Sequence, residues 1–282
     1  MQVKSLFSQI WQSDPRHYQI LIQSCLLVYG LFWLDFEIEL LGVLTIISTA
    51  LLTQFFCLRF FKVPRFDFRS PLASALSLCL LLRTNILLLM SLTAAITILS
   101  KFIFRWKNKH IFNPSCFGLV AMMLLTGQVW VSPGQWGSVA YFCFLLACLG
   151  GLVINRAARS DVTLAFMFFY TAILFGRALW LGDPLTIPLH QLENGALLLF
   201  TFFMISDPKT TPDSRAGRIL FAFMIACGAG FVYFWLYRTN GVFWSLAFFA
   251  LFVPLIDWLL PSERYQWSKI NLGVLNNGVN EK

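Results

Sequence analysis

Two polar breaks in an otherwise apolar chain hold residues able to do chemistry. They are His110-Ile111-Phe112-Asn113-Pro114-Ser115 and Phe202-Phe203-Met204-Ile205-Ser206-Asp207-Pro208-Lys209-Thr210-Thr211-Pro212. Each joins the end of an apolar run to an X-Pro step, where proline contributes no N–H and turns the preceding residue away from helix. In hydrocarbon, irregular backbone of this kind is tolerated only where it faces protein or a water-filled cavity. Amides freed beside Asn113-Pro114 and Asp207-Pro208 can bind small anions or ring edges, as the ends of broken helices do.

Other polar positions carry two readings each. Arg177 interrupts an apolar run; it either faces a polar cavity or lies at a span end and snorkels to the interface. Arg83 faces the same choice, and the turn that follows it favours the surface. Asp183-Pro184-Leu185-Thr186-Ile187-Pro188-Leu189-His190 reads as a stiff turn. His110 and His190 fall on opposite sides of the membrane and share no metal. Asp257 lies near an interface or on an ion path. The seven cysteines (Cys25, Cys57, Cys79, Cys116, Cys143, Cys148 and Cys227) all sit in apolar runs without Cys-x-x-Cys spacing, and read as small buried hydrophobes. No nucleophile–base pair, glycine-rich phosphate loop or metal motif stands out.

The elements that must position these residues are hydrophobic helices. The 282 residues are 58% hydrophobic and 12% charged, with thirty Phe and ten Trp, whereas a soluble domain carries about a quarter charged residues. This composition describes a polytopic, all-α integral membrane protein. No cleavable signal peptide is evident, so the first apolar run is a retained span. At about 20 residues per span, hydropathy gives ten: 17–34, 38–58, 71–84, 86–104, 114–131, 137–154, 162–181, 191–206, 217–236 and 241–260. Residues 1–16 form a cytoplasmic N-terminal segment, 17–260 one transmembrane domain and 261–282 a cytoplasmic tail.

The loops orient these spans. With the N-terminus cytoplasmic, the inner loops hold Lys4, Arg16, Arg59, Lys62, Arg65, Arg69, Lys101, Arg105, Lys107, Lys109, Arg156, Arg159, Lys209, Arg215, Arg218, Arg264, Lys269 and Lys282. The outer loops receive only Arg83 and Arg238. This is the positive-inside distribution, with both termini cytoplasmic, and it accounts for the net charge of +8 without a nucleic-acid partner. Ten spans divide into halves of five, about 17–131 and 137–260, and an odd half-count sets them in opposite orientations, as in transporters built from inverted repeats. Ser74-Ala75-Leu76-Ser77-Leu78-Cys79-Leu80-Leu81-Leu82 in span three resembles Gly195-Ala196-Leu197-Leu198-Leu199-Phe200-Thr201-Phe202-Phe203 in span eight. Both runs are short, begin with small residues and end at polar ones.

Three segments together resemble a known family, which comprises the RnfD component of the Rnf electron transport complex and the NqrB component of the sodium-translocating NADH:quinone reductase. They are Ser74-Ala75 through Leu82-Arg83-Thr84-Asn85, Ile111-Phe112-Asn113-Pro114-Ser115-Cys116-Phe117-Gly118, and Phe202 through Pro212. The second is similar to the family's F-N-P-A-x-x-G signature, the third to its F-F-M-x-T-D-P run. The resemblance, which is to the shorter stand-alone relatives, implies two inverted five-helix repeats similar to urea transporters. It also implies a flavin-carrying subunit with an FMN joined to a threonine before span eight. In this chain that position corresponds to Thr186, although the Ser-Gly-Ala that precedes the family's threonine is absent. Asn113, Pro114, Arg177, Ser206 and Asp207 are the further candidate cofactor-binding residues, with the bilayer and other electron-transport subunits as partners. Besides flavin-based electron transfer, with or without coupling to ion movement, two functions stay open from sequence: a small-solute or ion channel on the same fold without flavin, and a scaffold subunit.

Overall fold

The computed structural model describes residues 16–34, 36–63, 66–107, 109–131 and 159–264. The expected span 137–154, Cys143, Cys148, Arg156, Lys4, Arg65, Lys269 and Lys282 lie outside the described residues, as do 1–15 and 265–282 of the two terminal segments. Each of the other nine expected intervals contains a helix. In chain order these are α1 (Arg16–Trp33), α2 (Leu40–Phe60), α3 (Arg69–Leu81), α4 (Leu87–Ile103), α5 (Pro114–Thr126) and α6 (Ser160–Leu181). They continue with a short α7 (Thr186–Leu192), then α8 (Gly195–Leu199) running into a π-helical turn (Phe200–Met204), α9 (Arg215–Phe234), α10 (Gly241–Ala250) and α11 (Val253–Leu259). By length and composition α2, α6 and α9 can each cross a membrane, and α10 with α11 makes a fourth span bent by 54°. The helices α3, α4, α5 and α8 with its π turn are apolar but shorter. The chain is a multi-pass membrane protein.

Local chemistry explains where the helices begin and end. Asn113 caps α5 by accepting from the Cys116 amide at 3.1 Å, Pro114 follows at the position where a missing N–H costs nothing, and Gly127 (φ 61°) ends the helix. This stop is why the fifth span closes at Thr126 rather than at 131. Asn194 caps α8 through the Ala196 and Leu197 amides, so the eighth span starts at Gly195 and not at 191. Ser214 caps α9 through the Gly217 amide at 3.0 Å. The segment from Asp183 to His190, read as a stiff turn, contains the helix α7 from Thr186 onward, because Pro184 and Leu185 open a helical turn that Pro188 does not interrupt.

Arg83 differs most from its sequence reading. It is 1% exposed rather than at the surface. Its guanidinium donates to the carbonyls of Cys79 (3.1 Å), Leu80 (3.2 Å) and Leu82 (2.6 Å), the groups that α3 leaves unpaired on ending. The ring of Phe36 covers it at 5.1 Å. The residues that follow α3, Leu82 and Arg83 (β1), pair antiparallel with Trp130 and Val131 (β4), while Arg105–Trp106 (β2) and Lys109–His110 (β3) form a hairpin between α4 and α5. Thus α3 is a half-length helix whose stop is satisfied from within the protein.

The core is built around aromatic contacts between elements. Phe200 meets Phe166 of α6 at 5.2 Å and Phe243 of α10 at 5.5 Å, and all three are fully buried. The first-half helices pack α2 on α4, α1 on α3 and α4 on α5; in the second half α6 packs on α9 and α9 on α10. The two sets meet where α5 lies against α10, with the Cys116 thiol donating to the Phe243 carbonyl at 3.3 Å.

Candidate functional site

The two polar breaks, 91 residues apart in sequence, meet in space. The Asn113 side-chain amide donates to the Met204 carbonyl at 3.3 Å. Its oxygen caps α5, so one side chain both starts a helix and holds the end of the opposing one. Met204 closes the π-helical turn, where the widened ring of Ile205 N–H to the Phe200 carbonyl (3.0 Å) replaces regular helical bonding. π turns recur at functional sites.

Beyond Met204 the chain folds back on Asp207. The Asp207 carbonyl accepts from the amides of Thr210 and Thr211, both at 3.1 Å, and from both of their hydroxyls. Its carboxylate accepts from the Lys209 amide at 3.0 Å. Ser206 returns its hydroxyl to the Phe202 carbonyl. The Ser-Asp-Pro-Lys-Thr-Thr run is therefore a rigid knot whose own residues satisfy its polar groups, leaving the Asp207 carboxyl with one face toward the space next to it.

That space is a cavity of about 340 Å³ bounded by α2, α3, α4, the start of α5 and the end of the π turn. Asn113, Pro114, Ser206 and Asp207 line it, so four of the six sequence candidates converge. The other two do not. Arg177 stands at the opposite end of α6, 37% exposed, 3.7 Å from Asp183 and stacked over Phe234 at 4.3 Å, which is the snorkelling arrangement. Thr186 is exposed at the start of α7, away from this cavity.

Several lining residues carry no sequence signal. Lys101, counted with the inner loops from sequence, is instead buried within the last turn of α4 and donates to the Ser70 carbonyl (3.0 Å) and hydroxyl (3.1 Å). Arg16, Arg105 and Lys209 add three more cations, set against Asp67 and Asp207. Asp67 is already engaged by Arg16 and Arg69; burial pushes its carboxyl up, but Arg16 and Arg69 more than reverse this and hold it low. Asp207 goes the other way: burial raises its carboxyl, and the Lys209 amide, Lys101, Lys209 and Arg159 offset only part of that rise. His110 is pushed down to about 3, first by burial and then by Arg105, Lys101 and Lys209. It is neutral at any physiological pH.

Two buried polar atoms in the lining have no hydrogen-bond partner among the described residues, Gln54 Oε1 and His110 Nδ1. Orphaned buried polar atoms are uncommon and costly. Around them, Phe102, Phe202 and Phe203 offer flat apolar faces, while Ser70, Ser74 and Ser77 offer hydroxyls. The lining thus combines aromatic, hydroxyl and cationic side chains in an electropositive setting. The size of the cavity lies at the lower end of the roughly 300–1,000 Å³ typical of cofactor sites.

Comparison with known proteins gives consistent findings. The pattern of the "NQR2, RnfD, RnfE family" matches residues 123–266, an interval that contains Arg177, Thr186, Ser206 and Asp207 and begins after Asn113. The chain is similar to the D component of the ion-translocating oxidoreductase complex of Alcanivorax borkumensis, with 30% identity over 164 residues, 55% of this chain and 44% of that protein. The counterpart from Shewanella amazonensis is 32% identical over 145 residues, 50% of this chain and 38% of its own. The one from Escherichia coli is 30% identical over 151 residues, again 50% and 38%. The matches span less than half the length of these curated relatives.

Proposed function

This chain belongs to the NQR2, RnfD, RnfE family, and from that premise we propose that it is a membrane subunit of an ion-translocating electron-transport complex and holds a flavin without a covalent bond. The observation that carries the flavin reading is the cavity at the junction of the two polar breaks, with its aromatic faces and its four cations. Asn113 and the Met204–Asp207 turn would fix the ring edge, Phe102 and Phe203 would flank it, and Lys101, Arg105 and Lys209 would favour negative charge on it. The flavin when bound supplies the electron chemistry, while the chain binds, orients and shields it from water.

The architecture that supports this role is ten spans in two inverted five-helix repeats. What favours it is the matching of partners: α2 packs on α4 as α6 packs on α9, and α4 on α5 as α9 on α10, each pair five spans apart. The face that carries the cavity mouth is then cytoplasmic, because Arg16, Lys101, Arg105 and Lys209 line the cavity and belong to the basic inner segments. Thr186, with an exposed hydroxyl on the other face, is the position for a separate, covalently attached FMN.

Purification from a flavin-replete host with flavin transferase tests both assignments. A yellow protein that releases stoichiometric flavin on denaturation is the expected result, and a colourless preparation overturns the reading. Flavin fluorescence that stays with the chain on a denaturing gel and disappears in Thr186→Ala would place the covalent group. Flavin lost entirely on denaturation would leave only the cavity.

A further inference from the structure

The helix α2 ends in an unusual way at Lys62. The Val63 amide donates to the Leu58 carbonyl at 3.0 Å and the Lys62 amide to the Arg59 carbonyl at 3.4 Å, the paired bonds of a Schellman stop. Such a stop sets one residue in the left-handed region, where glycine is the usual occupant. Here that residue is Lys62, with φ 52°. A side chain held in so costly a conformation points to a use for it. Lys62 and Arg59 line a bay of about 410 Å³ whose other described walls are Phe55, Leu58, Val63 and Phe66. Phe55, Val63 and Phe66 are exposed. The 21 residues of α2 make a helix about 30 Å long, which matches the hydrocarbon thickness of a bilayer. The bay at its Phe60 end therefore turns its apolar walls to acyl chains and its two cations to the headgroup layer.

Charge singles out the same place. Arg16 and Arg69 are engaged by Asp67, Lys109 by Asp213 and Asp257, and Arg218 by Asp161. Arg59 and Lys62 have no ion-pair or side-chain hydrogen-bond partner among the described residues, and no described carboxylate lines their bay. Three residues apart, they repel each other. The hollow beside Trp258 differs, because its Lys109 is already held by two aspartates and its Arg264 donates to the Lys107 carbonyl. We propose that the bay on α2 binds an anionic phospholipid. Its phosphate lies between the Arg59 guanidinium, whose fork matches two phosphate oxygens, and the Lys62 ammonium. An acyl chain covers Phe55 and Phe66. A zwitterionic lipid adds an ammonium that the two cations disfavour, and a free phosphate makes no use of the apolar walls. The inference is independent of what the larger cavity holds, although Leu58 and Val63 line both spaces.

The experiment is native mass spectrometry of the whole chain in detergent, titrated with phosphatidylglycerol or with phosphatidylcholine of the same acyl chains. Each surface cation contributes about five-fold to affinity for an anionic lipid. The wild-type protein is expected to bind its first phosphatidylglycerol at least about ten-fold more tightly than phosphatidylcholine. Lys62→Gly is expected to lose about five-fold of that affinity. Its lipid-free thermal midpoint should be unchanged or raised, because glycine suits the left-handed turn, whereas a merely structural lysine would lower it. Lys62→Gly with Arg59→Gln should abolish the preference between the two lipids. Arg215→Gln, which removes an exposed cation outside the bay, should leave both affinities unchanged. A wild-type protein indifferent to the headgroup, or full phosphatidylglycerol affinity in Lys62→Gly, overturns the assignment. So does an equal loss in Arg215→Gln, which would make the attraction one of general surface charge. Displacement of the lipid by millimolar inorganic phosphate would leave an anion site without a lipid and overturn it too. A dimer that forms in place of the lipid adduct and is lost in the double variant would give the bay to a second copy of the chain instead.

Discussion

Asn113 and His110 show how much one side chain can decide at this site. Asn113 spends its oxygen on the Cys116 amide and its nitrogen on the Met204 carbonyl, so replacement by Asp would keep the cap and lose the tie to the second half. His110 has a titration consequence. It is neutral in the folded protein down to about pH 3, against an ordinary value of 6.5. The unfolded chain takes up a proton below about pH 6.5 that the folded chain refuses, so His110 withdraws stability as pH falls through that window and has no effect above it. The thermal midpoint of the purified protein should be flat from neutral pH upward and decline between about pH 6 and pH 4. His110→Gln should reduce the decline; an identical slope in the variant would locate the acid sensitivity in other groups. Asn113 was legible in the sequence because proline follows it and an apolar run begins there. Gln54 and Lys101 were not, since one amide or one ammonium within an apolar run looks the same whether it meets a cavity or a neighbour.

Helix pairs in this protein approach closely at glycines set against hydroxyls. A Cβ on Gly118 of α5 would lie 1.9 Å from Thr97 Oγ1 and 3.1 Å from the Thr93 carbonyl of α4. On the second-half pair, a Cβ on Gly228 of α9 would lie 2.4 Å from Ser245 Oγ of α10. Small residues let membrane helices touch backbone to backbone. Gly118→Ala should therefore cost about 1–3 kcal/mol through overpacking, read as a lowered thermal midpoint. Because Thr97 Oγ1 is buried with no partner among the described residues, Thr97→Ala should be neutral or stabilising by itself and should recover much of the Gly118→Ala loss. A double variant no better than Gly118→Ala would mean that the Thr93 backbone sets the limit. Helix positions were readable from hydropathy, and the start of α5 from Asn113-Pro114, whereas hydropathy alone carries the fifth span past Gly127 to 131. The half-length of α3 was visible as a run that ends in polar residues. The burial of Arg83 was not, because the charge is balanced by α3 carbonyls that only the folded turn brings within reach.

Across the whole molecule, a charge cluster fastens the first half to the second. Lys109, on the hairpin before α5, donates to Asp213 at 2.9 Å and to Asp257 at 2.6 Å, and Asp257 also accepts from the Asp213 amide at 2.8 Å. The three side chains are largely buried. This arrangement engages Asp257 in a structural cluster at the cavity-bearing face. Lys109→Met leaves two carboxylates facing each other and should cost about 3–5 kcal/mol. Replacing Lys109 by Met together with Asp213→Asn and Asp257→Asn should restore most of that loss, as removal of an entire buried ion cluster commonly does. A triple variant as unstable as Lys109→Met would show that unbalanced charge is not the source of the loss. This join was not legible in the sequence: nothing in the spacing of Lys109, Asp213 and Asp257 marks them as partners.

The bond from Asn113 to the Met204 carbonyl also sets a timetable. One wall of the cavity, α2 to α5, leaves the ribosome 91 residues before the turn that completes it. At about 5–20 residues per second this is a delay of roughly 5–20 s, during which Gln54, Lys101 and Asn113 line an open trough at the membrane surface. Whatever the cavity holds can therefore meet the first wall before the second half inserts, and can also reach the finished site through its mouth.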